Sequence, residues 1–194
     1  MSKPRIAVII GSTRKTRFAD KPTEWFMSKV AGNADLDFEV VDLRDADLPF
    51  FDEPASNAWV PSSDPKAVAW QEKIASYDGF VFIVSEYNHS ITAALKNALD
   101  QAYNEWVHKP MAALAYGSMG GARALEHLRA IGVELQMVPV RGAVHIGGAD
   151  FFKVWPGAGN APISEIEGNL ENALGGLLTD LTWWTKATKA AREA

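Results

Sequence analysis

The chain has 194 residues, 47% apolar and 22% charged, with 19 Lys and Arg against 24 Asp and Glu for a net charge of −5; this suits one globular domain with a substantial core and argues against broad binding to a phosphate backbone, leaving room for a local basic pocket. The absence of cysteine excludes disulfides, thiolate nucleophiles, thiolate metal sites and redox dithiols, so any redox chemistry has to come from a bound cofactor. No apolar run approaches the roughly 20 residues that span a bilayer, and the short apolar run after Arg5 is too brief for a signal peptide, so a cytoplasmic protein is expected.

Arg5–Ile10 ends in an unbroken aliphatic run cut off by Gly11-Ser12-Thr13, which predicts a strand buried on both faces. Lys21–Ala31 reads as a helix closed by Gly32, and Asp37–Leu43 as a strand alternating Phe38, Val40 and Leu43 with polar neighbours. The stretch Asp45–Asp64, with Pro49, Pro54 and Pro61 and no periodicity, predicts a long surface loop whose Phe50, Phe51 and Trp59 either pack over the sheet edge or meet a ligand or partner. Ala67–Ser76 is a predicted helix, Gly79–Val84 a strand, Thr92–Tyr103 a helix and Met111–Ala115 a strand. Gly121–Ile131, closed by Gly132, Ala143–Ile146, and Ile163–Ala191 complete the series as helix, weaker strand and helix.

Strand and helix alternate throughout, and parallel strands need right-handed crossovers, so the expected fold is α/β: one domain over residues 1–194, doubly wound, with helices on both faces. Five strands suit the flavodoxin-like parallel order 2-1-3-4-5. Ligands of such sheets bind outside the carboxyl ends of the strands, here where the first and third strands meet.

Three loops therefore matter. Gly11–Phe18 adds hydroxyls and cations to free backbone amides ahead of a helix, which suits a phosphate monoester; the same residues would also serve as a polar turn capping that helix. It has neither P-loop nor dinucleotide-turn spacing. Ser85–Ser90 follows the third strand, and its Tyr87 and Asn88 could border a planar heterocycle or simply satisfy the loop backbone. Tyr116–Arg123 follows the fourth strand, and its glycines allow close approach of backbone either to a flat ring or to the next helix. Ser118 lacks the surroundings and the downstream Asp-then-His order of a hydrolase nucleophile. The histidines, at 89, 108, 127 and 145, lack the spacing of metal ligands, so no metal is expected.

Glu86-Tyr87-Asn88 followed by Leu95-Lys96-Asn97-Ala98-Leu99-Asp100, together with Gly11-Ser12-Thr13-Arg14 and Gly117-Ser118-Met119-Gly120-Gly121, resembles the NAD(P)H-dependent FMN reductase family, which includes chromate, quinone and azo reductases. The likeness runs from Ile6 to about Ile146. It implies an enzyme that moves two electrons from NADPH or NADH through bound FMN to a quinone, flavin, azo or similar acceptor, in a cytoplasmic homodimer or homotetramer that binds neither nucleic acid nor membrane. The alternative is a flavodoxin-like electron carrier or a non-catalytic flavin-binding module. The resemblance further implies that Ser12 and Arg14 bind the phosphate, with Arg17 and Phe18 closing the loop. Glu86, Tyr87 and Asn88 would line the ring, and Gly117 and Ser118 would approach its pyrimidine side. No side chain is expected to be catalytic, because the flavin carries the chemistry. Arg17 stands where many members have a hydroxyl residue and could replace that bond by charge. Asp20 has to point away from a bound dianion. Ser85 replaces a proline and frees one backbone N–H.

Overall fold

The aliphatic run near the start of the chain becomes the second strand of a five-stranded parallel sheet. The computed structural model describes residues 3–194 and pairs β1 (Arg5–Ile10), β2 (Asp37–Asp42), β3 (Gly79–Ser85), β4 (Pro110–Tyr116) and β5 (Val138–Ile146) in the order β2-β1-β3-β4-β5, the flavodoxin-like order expected. Every residue of β3 and β4 is buried, as a sheet covered on both faces requires. β2 is an edge strand and keeps only Val41 fully buried.

Alternation along the strands sorts the core into two layers. Ile6, Val8 and Ile10 of β1 face α1 (Asp20–Val30) and α7 (Glu167–Arg192), where Leu170, Leu174, Leu177 and Leu181 form one helical stripe. Ala7 and Ile9 face the opposite layer, which holds α3 (Pro65–Ala75), α4 (Ala93–Asp100) and α5 (Ala122–Glu134). Trp106 is fully buried there, its indole N–H shared between the carbonyls of Leu99 and Ala102. Among the described residues no helix is long and apolar enough to cross a membrane.

Several boundaries differ from those expected. Gly132 does not end α5, which continues to Glu134; the glycine lets the helix sit directly on the Met111 side chain of β4. The turn out of the helix is made instead by Gln136, at φ 56°. β5 starts at Val138 rather than Ala143, and Gly142 within it lies under the backbone of α7, where a Cβ would come 2.7 Å from Leu177 Cα. The last helix begins at Glu167, after a 3-10 turn at Ile163–Glu165. Two short helices were not foreseen, α2 (Leu43–Ala46) and α6 (Gly148–Val154). Asp64 caps α3 by accepting from the N–H groups of Lys66 and Ala67, and the stretch from Asp47 to that cap is largely irregular, as its composition predicts.

Candidate functional site

The loops leaving β1, β3 and β4 meet at the carboxyl edge of the sheet. The first is fixed at its root: Gly11 donates its N–H to Ile83 O at 3.0 Å, and Thr92, the N-cap of α4, donates its hydroxyl to Gly11 O. Ser12 is buried, with Oγ 3.5 Å from the Tyr87 hydroxyl, and Arg14 reaches the same hydroxyl at 3.4 Å. Thus the first and second loops touch through one phenol.

Arg17 turns inward. Its guanidinium donates to Ser12 O at 2.8 Å, to both oxygens of Asp42 at 2.7 and 2.5 Å, and to Asp20 at 2.7 Å. Burial disfavours its charge, but the two carboxylates outweigh that and raise its pKa further above the ordinary arginine range. Burial likewise pushes Asp42 up, and Arg17 together with the Arg44 N–H overcomes it, holding the carboxyl below its ordinary value of 3.8. Arg17, expected to close the loop with a free charge, is instead neutralised by protein carboxylates and acts as a brace between the loop and the end of β2. Asp20 is engaged by the same brace. Phe18 is buried edge-on against Tyr116, with centroids 5.0 Å apart, and joins the first loop to the end of β4.

The second loop is a tight turn in which Tyr87 and Ser90 exchange backbone hydrogen bonds at 2.9 and 3.0 Å. Asn88 and His89 occupy its centre at φ 49° and 75°, the two positive values of a type I′ turn. This leaves Tyr87 and Asn88 exposed at the site, whereas the Glu86 side chain points the other way. Its carboxylate accepts from Arg123 Nε at 2.6 Å and from the N–H groups of Arg123 and Ala124 at 3.2 and 3.5 Å. Burial raises its pKa, but these donors win and hold it below the usual glutamate range. α5 has Gly121 at its N-cap and no side-chain cap of its own, so Glu86 supplies the acceptor from another loop. It links the second loop to the third.

The third loop turns on Gly117, Gly120 and Gly121, at φ 154°, 69° and 66°. Gly120 lies so close to Gly147 that a Cβ on the latter would fall 2.5 Å from Gly120 N, and Ser118 O accepts the Gly148 N–H at 3.0 Å. α6 thereby anchors the third loop from behind, leaving Ser118 and Met119 exposed.

These contacts leave a characteristic set of unclaimed donors. Among the described residues, no protein acceptor takes the backbone N–H groups of residues 12–16, of Asn88 and His89, or of Ser118 and Met119. Backbone donors without partners in folded protein call for a solvent or ligand acceptor. Arg14, Lys15 and Arg44 stand beside them, and none has a carboxylate within ion-pair distance among the described residues, in contrast to Arg17. Arg44 was not apparent from the sequence. It follows β2, the neighbour of β1, and donates to the carbonyls of Thr13 and Arg14. The arrangement fits a phosphorylated flavin: a row of amides and cations for a dianion at the first loop, and exposed amides at the other two for the polar edge of a flat ring. Among the described residues no group of three or more metal-ligating side chains is assembled.

Comparison with known proteins agrees with this geometry. The pattern of the family described as NADPH-dependent FMN reductase matches residues 4–150, a span containing all three loops. A Nectria protein named NAD(P)H-dependent FMN reductase is 40% identical over 126 residues, 62% of this chain and 63% of that protein. The chain thus spans just under two thirds of that relative. An Arabidopsis thaliana protein named NADPH:quinone oxidoreductase is 35% identical over 141 residues, 69% of this chain and 68% of its own length. Among solved structures, the flavoenzyme NAD(P)H:(acceptor) oxidoreductase FerB from Paracoccus denitrificans shares the fold, with a TM-score of 0.69 over 95% of this chain and 98% of that one at 22% identity. With its phosphate-type loop, its Glu-Tyr-Asn turn and its glycine loop brought to one sheet edge inside the matched span, the chain belongs to the NADPH-dependent FMN reductase family.

Proposed function

We propose that the protein is an FMN-dependent NAD(P)H oxidoreductase that passes two electrons from a nicotinamide to a quinone, azo compound or similar flat acceptor, through a single flavin-binding domain. The observation that carries this reading is the cluster of unclaimed backbone N–H groups beside Arg14 and Lys15. In this reading Ser12, Arg14 and the amides of residues 12–16 hold the phosphate. Arg17 sets the shape of that loop, and Phe18 seats it on β4. Tyr87 closes over the loop, while Asn88, Gly117 and Ser118 border the ring, with the amides of Asn88 and Ser118 directed to its polar edge.

Bound FMN supplies the acceptance of hydride from the nicotinamide and its onward transfer. The chain itself holds the ring, screens one side of it and places donors where negative charge develops on reduction. Glu86 keeps the second and third loops at a fixed spacing, so those donors are oriented before the ring arrives. The same reading takes the protein to be cytoplasmic and to act as a homodimer or homotetramer.

Titration of the apoprotein with FMN and with riboflavin, followed by quenching of flavin fluorescence, tests the assignment. FMN is expected to bind about tenfold or more tightly than riboflavin, and Arg14→Ala to remove most of that difference, because a charge-assisted hydrogen bond is worth roughly 1.5–3 kcal/mol. Equal affinity of the wild type for the two flavins would refute a phosphate site in the first loop.

A further inference from the structure

A cavity of about 530 Å³ opens between the segment after β2 and the start of α4. Leu43, Leu48 and Phe50 form one wall and Asn97 stands opposite, while Thr13 and Arg44 connect it to the first loop. Its size and mixed lining are those of a small-molecule site.

Phe50 is 83% exposed, yet its backbone is fixed on both sides. Pro49 O accepts from Asn97 Nδ2 at 2.8 Å and from Gln101 Nε2 at 2.7 Å, and the Phe51 N–H donates to Asn97 Oδ1 at 3.0 Å. A phenyl ring exposed to water on a fixed stretch of backbone at a cavity mouth adds little to the fold and offers a flat apolar face. The electrostatics are equally one-sided. Asp47, also on the cavity wall, is neutralised by Lys66 at 2.5 Å, whereas Arg44 has no carboxylate partner among the described residues and spends its Nε and one Nη on backbone carbonyls.

The cavity touches none of Tyr87, Asn88, Gly117 or Ser118. Whatever fills it sits apart from the loops assigned to the flavin ring, where electrons must change hands. An acceptor such as a quinone has no second end to place there. The co-substrate does: beyond its reacting nicotinamide it carries an aromatic base and phosphates.

We propose that this cavity receives the purine nucleotide end of NAD(P)H, with the base laid on Phe50 and a phosphate at Arg44. The inference rests on the reading of the protein as a nicotinamide-dependent flavoenzyme. Binding made by a non-reacting arm of this kind favours the full dinucleotide over a truncated one.

The test uses FMN-loaded protein, so that the first loop is already filled. Binding of 2′-phospho-ADP-ribose, which lacks the nicotinamide, is measured by calorimetry for the wild type, Phe50→Ala and Phe50→Tyr. In parallel, kcat/KM is measured with NADPH and with reduced nicotinamide mononucleotide. Phe50→Ala is expected to weaken the analogue about tenfold, in line with loss of one base–aromatic stack, and to lower kcat/KM for NADPH by a similar factor through KM. The truncated donor and FMN affinity are expected to be unaffected, and Phe50→Tyr to restore the wild-type values. Unchanged analogue binding in Phe50→Ala would overturn the proposal. So would an equal loss with both donors, or a change of oligomeric state on Phe50→Ala with NADPH parameters intact, which would assign Phe50 to a subunit contact. A wild type that binds the analogue through Phe50 but never oxidises NADPH would uphold this site and defeat the proposed reaction.

Discussion

Arg17→Ala is expected to destabilise the protein by about 3 kcal/mol, because removing one partner of a buried ion pair strands the other charge in a poorly solvated place. Asp42 would lose both of its guanidinium bonds and Ser12 O its donor, while the exposed Asp20 would lose little. The same change frees the first loop from β2, so FMN affinity is expected to fall tenfold or more even though the Arg17 guanidinium is engaged by Ser12 O and Asp42. Urea unfolding and flavin titration on one preparation measure both effects. Because Asp42 is held below its ordinary pKa of 3.8 in the folded protein, the brace contributes fully above that pH and is lost as pH falls through the depressed folded value. The stability gap between wild type and variant is therefore expected to be constant from pH 7 to about 5 and to close under strong acid. Arg17→Lys should recover only part of the stability, since an ammonium cannot grip both oxygens of Asp42 in a planar fork. A wild-type unfolding curve for Arg17→Ala would refute the brace.

Gly121→Ala is expected to be at least as damaging. The residue sits at φ 66°, and a Cβ there would lie 2.7 Å from Tyr116 N and 2.8 Å from Ala115 Cβ, the last two residues of β4. Neither neighbour can retreat without moving the strand. The left-handed backbone alone costs an alanine about 1–2 kcal/mol, and overpacking about 1–3 kcal/mol more. A loss of about 3 kcal/mol or more, together with a displaced third loop and weakened FMN binding, is the expected outcome. Gly32→Ala is the internal control: φ is 70° but no atom lies within 4 Å of the added carbon, so only the conformational cost applies. Thermal unfolding of the two variants side by side separates strain from collision; equal losses would show that the collision at Gly121 is relieved.

How far the sequence announces this structure varies with the range of the interaction. β1, β3 and β4 are legible because strands covered on both faces must be apolar throughout, and each is stopped by a polar or glycine-rich loop. The site loops follow directly, since a parallel sheet gathers the ends of neighbouring strands at one edge. β5 is legible only in its last four residues: Pro139, Arg141 and Gly142 interrupt its pattern, and Gly142 is required by the close approach of α7, a contact made by a segment more than thirty positions away. Gly132 misleads in the same way, serving helix–strand packing where it resembles a stop. Within the site, Arg17 reads as a cation closing the phosphate loop until β1 and β2 pair with Ile10 beside Asp42, which brings a carboxylate 25 residues distant into its fork. Glu86 reads as a ring ligand, and its inward turn is explained by the glycine N-cap of α5, whose uncapped amides need an acceptor. That last signal was present in the sequence, as a helix start without Ser, Thr, Asp or Asn.

In the proposed reaction the three converged loops hold a flavin that a nicotinamide reduces. Anaerobic mixing of FMN-loaded protein with NADPH, followed in the visible flavin band and then by addition of a quinone, tests it most directly. The band is expected to disappear rapidly at one equivalent of NADPH and to return on adding one equivalent of quinone. Protein that takes up FMN but keeps its colour in excess NADPH and NADH would contradict it and leave a flavin carrier in its place.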